Sequence, residues 1–104
     1  MNTATHALRI LIHAPTPGAV ARARNNAANL KKDAPDTEVL IVVNADGVAA
    51  VLDTPRADTD PLTLVCANTM QRLRRSAREP LRTVRSAIAA IAEMQRDGWL
   101  YVRG

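Results

Sequence analysis

The 104-residue chain has no phenylalanine, and one tryptophan and one tyrosine are its only aromatic side chains. Its core must therefore be built from Val, Leu, Ile and Ala, which bury less area each than aromatic rings do. Glycine is scarce as well. Gly18 and Gly47 stand singly, with neither a G-x-G-x-x-G fingerprint nor a P-loop lysine, so no nucleotide-binding motif is present. The single cysteine, Cys66, excludes an internal disulfide. Together with only two histidines it matches none of the usual metal-ligand spacings. No apolar run is long enough for a membrane span, and Met1 to Thr5 lacks the basic-then-apolar pattern of an export signal. The expectation is a cytoplasmic protein with no metal, cofactor or membrane partner, and with residues 1–6 as a flexible tail.

What is present describes a globular chain: 47% of the residues are hydrophobic and 23% charged, over a length that suits one domain. A domain this small covers a limited share of its own surface, which favours association with further copies. The net charge is +4, and the basic residues are densest between Arg72 and Arg85. Such a run is most often a solvated helix face. Nucleic acid is not expected as a partner, because aromatic side chains on which bases stack are nearly absent.

Along the chain, Leu8, Ile10, Leu11 and Ile12 predict a strand up to His13, and the segment from Pro15 to Gly18 predicts a loop. Val20, Ala23, Ala27 and Leu30 recur at spacings of three and four, which predicts an amphipathic helix over Ala19 to Lys32. Arg22, Asn26 and Asn29 fall on its polar side, facing solvent, a loop or a neighbouring subunit. Val39 to Val43 is a β-branched run suited to a doubly buried strand. A short helix over Val48 to Leu52 would then be capped by Asn44 or Asp46. Asp53 to Pro61, with two prolines and several aspartates, reads as a mobile loop. Leu62 to Cys66 resumes a strand, followed by Asn68 as a helix cap with Gln71 three residues on. Thr83 and Val84 predict a short strand, and Ser86 to Gln95 a helix with Ile88, Ile91 and Ala92 on one face, stopped by Asp97 and Gly98. Trp99 to Val102 predicts a partly buried last strand. The β-α alternation calls for a parallel sheet with helices on both faces.

In parallel sheets, ligands gather beyond the carboxyl ends of the strands, where helix N-termini offer free N–H groups. That rule places His13, then Asn44 with Gly47, then Cys66 with Asn68 and Thr69 on one rim. A thiol at a helix N-terminus is a better nucleophile at neutral pH. Free cysteine is also among the most buried residue types, so a purely structural Cys66 stays open. His13 reads either as a proton acceptor or anion ligand, or as a satisfied structural residue.

Four segments carry a resemblance: Arg24 to Leu30 (RNNAANL), Val42 to Val48 (VVNADGV), Val65 to Thr69 (VCANT) and Gly98 to Val102 (GWLYV). In order and spacing the chain resembles the small DsrE/DsrF-like proteins of intracellular sulfur metabolism, with the YchN-like fold. The resemblance spans Ala7 to Val102. It implies a three-layer α/β/α sandwich on a five-stranded, mostly parallel sheet, assembly as a trimer or hexamer, and a persulfide-carrying cysteine at the position of Cys66. The expected function is then a sulfur carrier that takes sulfane sulfur from a donor protein and hands it to an acceptor, with His13, Asn44, Gly47, Asn68 and Thr69 lining the site. A non-catalytic oligomeric module that binds a small anion or a partner protein on the same rim is the rival.

Overall fold

Short β-branched runs separated by amphipathic stretches fold as expected. The computed structural model describes residues 7–104, and the tail expected at residues 1–6 lies outside them. The elements are β1 (Arg9–Ala14), α1 (Pro17–Asp33), β2 (Glu38–Val43), α2 (Asp46–Asp53), β3 (Thr63–Cys66), α3 (Ala67–Leu73), β4 (Arg82–Val84), α4 (Ala87–Arg96) and β5 (Leu100–Arg103). The sheet order is β4-β3-β2-β1-β5 with every neighbouring pair parallel.

Strand order and crossover handedness together fix the layers. From β1 to β4 the chain steps three times in one direction, and right-handed crossovers then put the connecting helices on one face. Val20, Ala23 and Ala27 of α1, Val48, Val51 and Leu52 of α2, and Met70 of α3 accordingly pack on Ile10, Ile12, Ile41, Val43 and Val65 in the larger core cluster. The return from β4 to β5 runs the opposite way, so α4 covers the other face. Its Ala87 and Ile91 meet Leu11, Val42 and Cys66 there.

Several local expectations are corrected. Helix α1 begins at Pro17, not after Gly18, because the Thr16 hydroxyl accepts from the Ala19 N–H at 3.1 Å and Pro17 occupies a first-turn position that needs no donor. Neither Asn44 nor Asp46 caps α2. The cap position is Ala45, at φ 50°. On α4 only Ile91 of the three expected residues is buried, and Ile88 is 65% exposed. Strand β5 is exposed along its whole length, since it pairs on one side only. Gly98 does stop α4, at a φ of +99° that favours glycine.

The largest correction concerns residues 53–61. Asp60 is 1% exposed and accepts from Arg24 Nη2 at 3.2 Å, Arg78 Nη1 at 2.7 Å and the Arg56 backbone N–H at 3.0 Å. The segment is therefore anchored. Arg78 also donates to the carbonyls of Val51 and Leu52, which are free because α2 ends there. Arg75 reaches Asp53, and Arg82 reaches the Pro61 carbonyl. Arg75, Arg78 and Arg82 of the basic run thus hold the acidic loop, while Arg72, Arg74 and Arg85 remain exposed as the solvated-face reading expects. Within the cluster, burial lowers the Arg24 pKa from its ordinary value, and Asp60 opposes that shift.

Removing one partner of a buried ion pair leaves the other charge uncompensated, which costs about 3–5 kcal/mol. Asp60→Ala is accordingly expected to lower unfolding stability by about that much, read from the urea midpoint. Asp58→Ala, which breaks an exposed pair with Arg56, should change little. Equal, small effects from the two would contradict the anchoring role.

Candidate functional site

Strand β3 sends its chain to α3 on one face, while β4 sends its chain to α4 on the other. The carboxyl ends of β3 and β4 therefore part at a switch in connection, the place where open parallel sheets form a crevice. Cys66 ends β3 at that point. It is 6% exposed and packs among Leu11, Val42, Ala87 and Ile91.

The expected cap at Asn68 is corrected. Helix α3 starts at Ala67, directly after the strand, so the residue in the cap position is Cys66 and Asn68 is a first-turn residue with an exposed side chain. Two helix N-termini meet at the sulfur. Burial pushes the Cys66 thiol up, but the N–H of Ala87, the N–H and hydroxyl of Thr69 and the N–H of Asn68 outweigh it, and the pKa is lowered from the ordinary 9.0. Thr69 is 5% exposed, and its hydroxyl also accepts from the Ala45 N–H at 3.3 Å. The Asn68 N–H additionally donates to the Arg85 carbonyl at 3.3 Å, joining the two strand-to-helix turns.

His13 and Asn44 do come together. Nε2 of His13 lies 2.9 Å from Oδ1 of Asn44, and Nδ1 lies 2.7 Å from the Tyr101 hydroxyl. A carboxamide oxygen only accepts, so Nε2 donates to it, and in a neutral imidazole Nδ1 then accepts from the Tyr101 hydroxyl. The pairing of Val43 with Val65 carries Asn44 to the level of Cys66 on the neighbouring strand. Gly47 has a different role. A side chain there would come within 2.3 Å of the Ala14 carbonyl oxygen, and its N–H donates to the carbonyls of Pro15 and Asn44, so it lets α2 approach the end of β1.

Two participants escaped the sequence reading. The last strand is expected to be partly buried, yet its Tyr101 is 41% exposed and bonded to His13, because the parallel register of β5 on β1 sets it beside Leu11 on the same face. The α4 N-terminus at Ala87 also belongs to the site. Its signal was present, since α4 follows β4 and must start on the same rim.

An acid whose folded-state pKa lies below its unfolded value stabilises the fold in its ionised form. For Cys66 that contribution is fully present above 9.0 and is lost as pH falls through the lowered folded value. Alkylation of Cys66 by iodoacetamide should therefore show a midpoint below 9.0, and Thr69→Val should move it up. A native midpoint at or above the ordinary value would refute the donor arrangement.

No protein-family model matches the chain, and no curated protein matches it. Among solved structures it is similar to MTH1491 of Methanobacterium thermoautotrophicum, a protein of unknown function, at a TM-score of 0.78 and 22% identity, covering 93% of this chain and 99% of that one. That likeness establishes a shared fold: a five-stranded parallel sheet between helical layers.

Proposed function

We propose that this protein carries sulfane sulfur as a persulfide on Cys66. The reading is supported above all by one observation: the sulfur sits where the N-termini of α3 and α4 converge, with three backbone N–H groups and the Thr69 hydroxyl favouring its anion. The same donors suit the product. Thiolate attack on a sulfane sulfur forms an Sγ–S bond and breaks the donor's S–S bond, whose electron pair leaves with the donor fragment, as sulfite does from thiosulfate. The negative charge then rests on the terminal sulfur. No external oxidant or reductant is consumed, and an acceptor thiolate reverses the step.

Asn44 lies level with Cys66 on the neighbouring strand and is bonded to His13, which in turn is bonded to Tyr101. The sequence resemblance to DsrE/DsrF-like proteins favours the same chemistry. With one cysteine the chain holds one sulfur and cannot resolve the persulfide by itself. The donor and the acceptor must then be separate molecules, and a reducing compartment such as the cytoplasm suits a lone thiol. No helix among the described residues is long and apolar enough to cross a membrane.

Incubation with thiosulfate or polysulfide, followed by intact-mass measurement, is expected to add one sulfur per chain. The addition should be removed by a thiol reductant and be absent in Cys66→Ser. A protein that gains no sulfur, or gains it equally as Cys66→Ser, would overturn the proposal and leave the anion-binding module as the reading of this rim.

A further inference from the structure

Tyr101 lies on β5, His13 on β1, Asn44 directly after β2 and Cys66 on β3, and these strands neighbour one another in the order β5-β1-β2-β3. The register puts all four side chains on one face of the sheet. Leu11 pairs with Tyr101 and His13 with Val42, and alternation along β2 and β3 adds Asn44 and Cys66 to that face. One row of side chains therefore crosses four strands. The Tyr101 hydroxyl is 2.7 Å from Nδ1 of His13, Nε2 is 2.9 Å from Oδ1 of Asn44, and Asn44 stands level with Cys66.

The row has a direction. Asn44 sits between β1 and β3, and its oxygen is bound on the β1 side by His13. The NH2 group of the same planar carboxamide consequently faces β3, the strand that ends in Cys66. The other donors there are taken, because the N–H groups of Ala87, Thr69 and Asn68 and the Thr69 hydroxyl serve Sγ itself. A negative charge that arrives with a sulfur donor needs a donor of its own, and the Asn44 amide is placed to supply it. The surrounding charge agrees. Arg85 follows β4 and Arg103 ends β5, both exposed, and of the four α-helix N-termini on this rim only that of α2 carries an acid, Asp46.

We propose that Asn44 sets the specificity of this site for a small anionic sulfane-sulfur donor of the thiosulfate class, and that His13 and Tyr101 are positioning residues that hold its amide toward the thiol. The inference rests on the persulfide reading of Cys66. A thiolate repels an anionic donor. As the bond from Sγ to the sulfane sulfur forms, the electron pair of the breaking S–S bond passes to the departing sulfite and its negative charge grows. A hydrogen bond from the Asn44 NH2 group to an oxygen of that fragment offsets the repulsion and strengthens along the reaction. A neutral electrophile gains nothing from it.

Iodoacetate and iodoacetamide differ in charge and little in size, so the ratio of their rates at Cys66 reads recognition of an anion without any sulfur transfer. Asn44→Asp keeps an oxygen for His13 but replaces the NH2 group with a negative oxygen. At a pH above the alkylation midpoint of each protein, it is expected to slow iodoacetate alkylation and thiosulfate loading roughly tenfold or more, with iodoacetamide alkylation nearly unchanged. Tyr101→Phe should raise the thiosulfate concentration that gives half the maximal loading rate, again without moving iodoacetamide alkylation or the circular dichroism spectrum. Equal slowing of both reagents by Asn44→Asp, iodoacetate alkylation indifferent to it, or a Tyr101→Phe protein that loads like the wild type would each overturn this inference while sulfur uptake stands. A wild-type protein that takes no sulfur from thiosulfate or polysulfide overturns the persulfide reading, and this inference with it.

Discussion

The handedness of the crossover connection is the constraint on which the rest of this molecule depends. Right-handed β-α-β units in a sheet ordered β4-β3-β2-β1-β5 leave no choice about layers: three steps one way and one step back put α4 alone on the second face. The chain must then leave β3 and β4 toward opposite faces. Cys66 lies at that parting, which explains why a thiol buried among Leu11, Val42 and Ile91 still meets backbone donors from two helices. The α3 helix is short, and the Ala87 N–H, from α4, is the foremost of the opposing donors.

The connections on the larger-core face, the loop after α2 and the stretch between α3 and β4, are held by Asp60. One buried carboxylate takes donors from α1, from the loop itself and from the stretch between α3 and β4. Desolvating a carboxylate costs several kcal/mol, which two guanidinium groups and a backbone N–H offset through charge-assisted bonds. Arg78 adds the α2 C-terminal carbonyls to the same knot. A chain poor in aromatics gains less from each apolar contact, so a polar anchor carries a correspondingly larger share of what fixes its loops.

The sequence made the alternation of strands and helices legible because the central strands are short apolar runs, β2 the most β-branched of them, and the long helix has a regular apolar spacing. It also placed His13, Asn44 and Cys66 on one rim, because that follows from strand ends alone. Three things were hidden. The aspartates of the 53–61 loop and the arginines after α3 pair with each other across about twenty residues, and periodicity carries no information about such long-range pairs. The caps of α2 and α3 failed because backbone junctions this tight put Ala45 and Cys66, not a polar residue, at the cap position. Tyr101 was invisible as a site residue because its role depends on the register between the first and last strands, which are separated by nearly the whole chain.

That register joins the edge of the sheet to the rim. Tyr101 belongs to β5, yet its hydroxyl is bonded to Nδ1 of His13, whose Nε2 donates to Oδ1 of Asn44; with a neutral imidazole the tyrosine is the donor. The donation from Nε2 is fixed from the Asn44 end, because its oxygen only accepts. Each step consumes an acceptor, and the Asn44 NH2 group is the donor left over, without a partner among the described residues. What the chain presents at the level of Cys66 is therefore donors: the amide of Asn44, the Thr69 hydroxyl and the backbone N–H groups of two helices. A rim so supplied favours negative charge. Any change at the β5 edge that moved Tyr101 would release His13 first and Asn44 next, so the least protected strand of the sheet governs the orientation of the residue beside its sulfur.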